Sequence, residues 1–278
     1  MRLVSFSLAD RKRRPGALHS HTGSVIDLSS DYADTLAVIT AGIASVASPD
    51  ICPSHKLSDV HLHAPIANPP RIFAIGLNYR EHAAETGKAL PDVPVVFFKQ
   101  PTAVIGPGDA IVLPKNTSEP DYEAEFAFVI GKGGYRIPAA AWCDHVYGYT
   151  IVNDISARDV QRATSQWSLS KSFPTFCPIG PAIVTTDEIA DPHQLGISLT
   201  IDGETMQNSS TCEMIFQIPQ LVEYISSITP FLPGDVISTG TPSGVGVGRT
   251  PKRWLKPGET VAVTIESIGS LSNPVASE

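Results

Sequence analysis

The chain has 278 residues, of which 42% are hydrophobic and 17% charged, and its formal net charge is −8. That is enough apolar material for one large domain, or a small one followed by a medium one. The negative balance argues against a nucleic-acid partner, which needs a basic face, and no apolar run is long enough to span a bilayer.

Taken in chain order, Leu3-Val4-Ser5-Phe6 and Ser24-Val25-Ile26-Asp27-Leu28 read as short strands, and residues 32–47 read as a helix. Between the strands, Arg11-Lys12-Arg13-Arg14 before Pro15-Gly16 reads as a solvated turn. His61 and His63 alternate in a possible strand and are expected to be exposed. Pro65-Ile66-Ala67-Asn68-Pro69-Pro70 is the expected boundary, so residues 1–66 form a small N-terminal domain and residues 67–278 the larger one. Beyond it short strands alternate with turns. Pro233-Gly234-Asp235 and Pro257-Gly258-Glu259 each precede a β-branched run, and residues 221–227 suit a helix. The expected class is α+β and β-rich.

The run Asp121-Tyr122-Glu123-Ala124-Glu125-Phe126-Ala127-Phe128-Val129-Ile130 sorts its residues by alternation. Tyr122, Ala124, Phe126, Phe128 and Ile130 make a core face, and the other face opens with three acids. Like charges adjacent on one face repel unless solvent or a cation compensates. Carboxylates at i and i+2 stand roughly 7 Å apart at their Cα atoms and can converge on one hard cation. A solvated sheet face is the plainer alternative. Asp154 ends the next apolar strand, residues 146–152, and would complete a site with Glu123 and Glu125. Alternatively, Asn153 or Asp154 caps a helix starting at Ser156. All-oxygen ligation suits Mg²⁺ or Mn²⁺ rather than structural zinc. Such a site wants a nearby cation, for which Lys171 and Arg158 are candidates.

Upstream, an apolar strand gives way at Gly76 to a short helix carrying His82 and Glu85 on one face. A Glu that orients a His makes a general base for water, and Gly87 would end the helix and leave it free to act as a lid. An incidental surface pair is the alternative. Gly240 to Gly248 lacks the Lys-Ser/Thr of a phosphate loop. Its glycines are expected to let the backbone pass close to substrate, with the Thr241 hydroxyl aimed inward. Ser243 lies outside any nucleophile elbow, and no Ser-His-Asp triad is legible. Cys52, Cys143, Cys177 and Cys212 show no CxxC spacing, which fits a reducing compartment. The first residues lack the apolar stretch of a signal peptide, so cytoplasm is the expected location.

Together these motifs resemble the fumarylacetoacetate hydrolase family over roughly residues 71–275. The matching pieces are Asn78-Tyr79, His82, Glu85, Val96-Phe97-Phe98-Lys99, Asp121-Tyr122-Glu123-Ala124-Glu125 and Asn153-Asp154-Ile155-Ser156-Ala157-Arg158-Asp159. Lys171-Ser172-Phe173, Pro178-Ile179-Gly180-Pro181, Gly234-Asp235-Val236-Ile237 and the run from Thr239 to Gly246 continue the match. The resemblance implies a mixed β-sandwich roll, a divalent metal (Mg²⁺ or Mn²⁺) and a homodimer. It implies Glu123, Glu125 and Asp154 as metal ligands, His82 and Glu85 as the dyad on a lid, and Lys171 as the lysine beside the metal. Arg158, Gln161 and Thr241 would hold a keto-acid substrate. The implied reaction is hydrolysis of a C–C bond in a 1,3-diketo acid. The alternatives are decarboxylation of an oxaloacetate-like acid, isomerisation of an enol on the same site, and metal binding without catalysis. The chain departs from the pattern at Pro174, where an acid is common, and at Asp202-Gly203-Glu204.

Overall fold

The computed structural model describes residues 1–19, 23–42 and 52–278. The strands before the Pro65–Pro70 stretch are β1 (Arg2–Ser7), β2 (Arg14–His19), β3 (Ser24–Asp27), β4 (Ser54–Lys56) and β5 (His61–His63). Then come β6 (Ile72–Gly76), β7 (Val95–Lys99), β8 (Val104–Ile105), β9 (Ile111–Leu113), β10 (Pro120–Asp121), β11 (Ala124–Ile130), β12 (Val146–Asn153) and β13 (Ser156–Ala157). The last are β14 (Cys177–Thr185), β15 (Gly196–Ile201), β16 (Glu204–Ser210), β17 (Val236–Ser238), β18 (Thr260–Ile265) and β19 (Gly269–Ser277). The α-helices are short: α1 (Thr35–Ala41), α2 (Arg80–Glu85), α3 (Arg158–Ala163) and α4 (Ile218–Ile228). The helix expected over residues 32–47 is found as α1, and residues 43–47 lie outside the described residues.

The main sheet runs β4-β3-β2-β1-β14-β12-β11-β17-β6-β7, with β5 paired to β1 and β8 to β14. A second sheet, β16-β15-β18-β19-β9, packs its apolar face against the first. Alternation explains the join. Phe126, Phe128 and Ile130 of β11 enter one core with Leu199, Val263 and Leu271 of the second sheet. Ala127 and Val129, on the other face, enter a second core with Leu3, Ile26, Val38 and Ile183. The expected division of this strand into two faces is therefore observed, but both faces are buried, as a central strand requires. Since β1 hydrogen-bonds to β14, the strands expected as a small N-terminal domain extend the sheet of the larger one.

Phe126 stacks on Tyr149 of the neighbouring strand, centroids 5.4 Å apart at 29°. Both side chains are fully buried. Phe126→Ala should destabilise the protein by about 3–5 kcal/mol, measured by denaturant unfolding, because no exposed route exists for the core to collapse into the void.

The strand expected over residues 121–130 is interrupted at Tyr122 and Glu123. The Tyr122 amide donates to the Asp121 carboxylate at 2.9 Å, and the Glu123 amide to Asn153 Oδ1 at 3.2 Å. Side chains take the amides that a ladder would use, and β10 turns away to pair with β13. This bend swings Asp121 out of register with Glu125. Helix α3 starts at Arg158, not at Ser156, and has no side-chain cap, so neither Asn153 nor Asp154 serves as one.

Candidate active site and metal centre

Three neighbouring strands of the main sheet meet at one end of a 620 Å³ cavity. Glu123 and Glu125 stand at the start of β11, Asp154 just past the end of β12, and Ser238 at the end of β17. The ends of β11 and β12 coincide because they pair antiparallel, Ala124 opposite Asn153. Glu123, Glu125 and Asp154 are all buried, and one oxygen from each lies within 4.8 Å of the others. The solvated alternative for the acidic face is thereby excluded.

Each carboxylate is held by its own set of donors. Glu123 accepts from Arg158 Nη2 at 2.5 Å and from Lys171 Nζ at 2.5 Å. Asp154 accepts from Lys171 Nζ at 2.6 Å and from Lys99 Nζ at 2.5 Å. Glu125 accepts from the Ser238 hydroxyl at 2.5 Å and the Gly240 amide at 3.1 Å. A carboxylate oxygen has two lone pairs, so these bonds leave capacity for a cation.

The charges do not balance. Asp121, Glu123, Glu125 and Asp154 face Lys99, Arg158 and Lys171, all buried, which leaves one formal negative charge unmatched. Burial works to raise the Glu123 carboxyl, but Arg158 and Lys171 outweigh it and hold it well below its ordinary value. Glu125 is hydrogen-bonded by Ser238 and the Gly240 amide instead, and Lys171 offsets its burial only in part. Burial first, then Asp154 and Glu123, push it up to about 8. Burial would lower Lys171, but Asp154 and Glu123 hold it above its ordinary value. A hard divalent cation suits this donor set: oxygen only, anionic, converging and short of one positive charge.

A pH-dependent outcome follows from Glu125. Its carboxyl sits near 8 in the folded metal-free protein against an ordinary value of 4.5. An acid whose folded value is raised contributes stability that is lost as pH rises from the lower value through the higher. Metal-free protein should therefore lose thermal stability between pH 4.5 and 8. At pH 7, a divalent cation held by these carboxylates should displace about one proton on binding. Calorimetry in buffers of different ionisation enthalpy measures that proton directly. Metal binding with no proton release would show that Glu125 is already ionised.

The remaining expected site residues except Glu85 lie on the same cavity. His82, Arg158, Gln161, Lys171 and Thr241 line it. His82 and Glu85 lie on α2, with Nδ1 3.4 Å from Glu85 Oε2, and His82 is buried. That spacing is a long hydrogen bond, and the second Glu85 oxygen accepts from the Gly244 amide at 2.9 Å. Helix α2 is thus docked on the 240–248 loop. Gly87 ends it with φ of 65°, where its amide donates to the Ala84 carbonyl. Arg158 also donates to Gln161 at 3.0 Å. The Thr241 hydroxyl accepts from Gln207 at 2.8 Å, and Gln207 in turn accepts from the Ala124 amide.

The glycine run supplies backbone donors to the site's acids. The amides of Gly240, Gly244 and Gly246 point at Glu125, Glu85 and Asp121 respectively. These three acids need backbone donors, and only glycine lets the chain turn each amide inward. Gly240 and Gly244 have φ of 95° and 102°, and a Cβ on Gly246 would stand 1.9 Å from the Arg253 carbonyl.

Two buried residues had no assigned role. Lys99 donates to Asp154, to the Ile155 carbonyl and to the Lys171 carbonyl, so it fixes a ligand and the lysine beside it. Its place at the end of the apolar run Val95–Phe98 was the available signal. Asp121 accepts from Arg158 Nε at 2.8 Å and from the Gly246 and Val247 amides at 2.7 and 3.0 Å. It holds Arg158 and the glycine loop in one arrangement, and no sequence spacing announces that pairing.

Outside the site, His63 and His145 have polar partners. His63 Nε2 meets the Ser7 hydroxyl at 2.9 Å, and His61 is exposed. His145 meets the Lys132 carbonyl at 2.7 Å. The four cysteines are unpaired. Among the described residues no helix is long and apolar enough to cross a membrane.

Comparison with known proteins matches residues 71–276 to the family described as fumarylacetoacetate (FAA) hydrolase C-terminal. The chain belongs to this family. A Xenopus laevis relative described as a mitochondrial oxaloacetate tautomerase is 42% identical, covering 99% of this chain and 90% of its own length. Oxaloacetate tautomerase YisK of Bacillus subtilis (strain 168) is 47% identical over 80% of this chain and 75% of its own. Among solved structures, fumarylacetoacetate hydrolase of Exiguobacterium antarcticum superposes with a TM-score of 0.90 at 34% identity, covering both chains fully. A 5-carboxymethyl-2-hydroxymuconate delta-isomerase of Mycobacterium smegmatis gives 0.83 at 36%, again over both whole chains. This family member therefore has the family's β-rich fold, and both of these sequence relatives are described as oxaloacetate tautomerases.

Proposed function

We propose that this protein is a metal-dependent keto–enol isomerase of a small 2-oxo acid, with oxaloacetate as reference substrate. The observation that carries the reading is the placement of buried His82 on the same cavity as the three carboxylates and Lys171. The names of the 42% and 47% identical relatives support the choice of substrate.

Glu123, Glu125 and Asp154 would hold Mg²⁺ or Mn²⁺, which when bound supplies Lewis acidity toward the oxygens of a 2-oxo acid. Arg158, oriented by Asp121 and Gln161, attracts the substrate carboxylate, with Thr241 on the same wall. Lys171 places an ammonium where negative charge builds up on oxygen as the C–H bond breaks. His82 turns Nδ1 to Glu85, which leaves Nε2 for the substrate. Moving from keto to enol, Nε2 takes a proton from the carbon next to the carbonyl and returns one to the oxygen. No atom is gained or lost. The docked α2 keeps water from competing for that proton.

Hydrolysis of a C–C bond in a diketo acid is the second reading, and the His82–Glu85 pair is its specific support. The two are separated by mixing the protein with enol oxaloacetate, and separately with acetylpyruvate, in Mg²⁺, Mn²⁺ or EDTA. Metal-dependent acceleration of enol loss without CO₂ release supports the isomerase. Release of acetate and pyruvate from acetylpyruvate at a comparable rate would replace it with the hydrolase. CO₂ from oxaloacetate above the free-metal background would replace it with a decarboxylase.

A further inference from the structure

The cavity is larger than its charged end needs. At 620 Å³ it has the size of pockets that enclose drug-sized molecules, whereas a four-carbon diacid fills only the region around the carboxylates. Ile75, Leu77, Phe97, Trp167 and Val247 give the cavity lining an apolar share, beside Thr86, Lys88, Arg162 and Thr164.

Trp167 is held rather than loose. Its indole packs on Gly76, where a Cβ would come within 2.3 Å of the ring. It meets Phe97 edge to face, centroids 5.6 Å apart at 73°. The opposite neighbour of Phe97 is Lys171, whose ammonium stands 5.3 Å from the ring centroid. Phe97 thus bridges the reacting end of the site and the indole. The loop carrying Trp167 is tied down as well. The Trp167 carbonyl accepts from Ser170 at 2.6 Å, and the Ser168 hydroxyl accepts from the Phe98 amide at 3.3 Å. Arg162, at the mouth of the cavity, is already paired with Glu119 at 2.6 Å. The wall at Trp167 therefore offers an aromatic face, and the cations elsewhere on the lining besides Arg158 and Lys171 are Arg162, held by Glu119, and Lys88.

Resting on the isomerase reading of the same site, we infer that Trp167 and Phe97 form a subsite for an apolar or planar group on the substrate end away from the metal centre. Trp167 is the residue that sets specificity there. The ligand class is a 2-oxo acid extended beyond its enolisable carbon by a flat or apolar substituent. A substituent lying along Phe97 reaches the indole face, and burying it removes apolar surface from water on both partners.

The test compares oxaloacetate, acetylpyruvate, benzoylpyruvate and a 2-oxo acid of similar length ending in a carboxylate. Metal-dependent keto–enol exchange is followed for each, and calorimetry gives the affinity of each for the Mg²⁺-loaded protein. The parent protein should favour benzoylpyruvate over acetylpyruvate by roughly tenfold or more in kcat/KM and in affinity. Trp167→Ala should collapse that ratio toward one, and Trp167→Phe should restore part of it. An equal fall for all four acids in Trp167→Ala would show a merely structural role and overturn the inference. So would a flat response to the substituent in the parent, or a preference for the carboxylate-ended chain. Exchange of oxaloacetate with that flat response leaves the isomerase reading standing without the subsite. No metal-dependent exchange of any acid removes both.

Discussion

Glu125→Gln should abolish metal-dependent turnover without unfolding the protein. The substitution keeps the shape of the side chain, and its carbonyl oxygen can still accept from Ser238 and the Gly240 amide. What it removes is one of three anionic oxygens converging within 4.8 Å. The Lewis acidity of a bound cation is worth several kcal/mol of transition-state stabilisation, so kcat/KM should fall by roughly 10³ or more. Mn²⁺ affinity, read by calorimetry, should fall in parallel. The metal-free variant should melt no lower than the parent at pH 8, since the lost charge is one that burial, Asp154 and Glu123 all disfavour. Mn²⁺ affinity within a few-fold of the parent would remove Glu125 from the ligand set. A lower melting point would mean that its carboxylate supports the fold itself.

That combination of effects comes from a conflict built into the strand. Alternation in residues 121–130 placed the apolar side chains correctly on one core face, because a period of two is a property of the extended backbone alone. The same alternation could not say whether the acids face water or a buried cleft. Burial was decided by β12 and β17, which flank β11 on both edges, and by cations arriving from β7 and from residues 158 and 171. Lys99 ends an apolar run with no role assigned from sequence, yet it is 1% exposed and holds Asp154. Alternation puts Asp121 on the acidic face, but the break at Tyr122 turns it toward Arg158 and the glycine loop. The motif residues were legible because each local pattern has few readings. Their partners were not, since those contacts join positions up to 159 residues apart that only the folded sheet brings together.

His82→Ala is the second large effect, and it separates proton transfer from metal binding. His82 touches none of the three carboxylates by a hydrogen bond, so Mn²⁺ affinity should remain close to that of the parent. Loss of a positioned general acid–base typically costs 10²–10⁴-fold, and kcat for enol–keto exchange should fall by roughly that factor. Glu85 provides the finer discrimination. One of its oxygens faces His82 at 3.4 Å and the other accepts from the Gly244 amide at 2.9 Å. Glu85→Gln keeps the contact with Gly244, so α2 stays docked, but it weakens His82 as a base. Attack by water on a carbonyl needs a strong base, whereas a proton shuttled between carbon and oxygen of an activated 2-oxo acid needs a weaker one. Exchange should therefore survive Glu85→Gln with a loss of roughly tenfold, well short of the His82→Ala loss. Equal and large losses in both variants would point to water activation and restore the hydrolase to first place. An unchanged kcat in His82→Ala would shift the proton carrier to Lys171, which lines the cavity with its ammonium on Glu123 and Asp154.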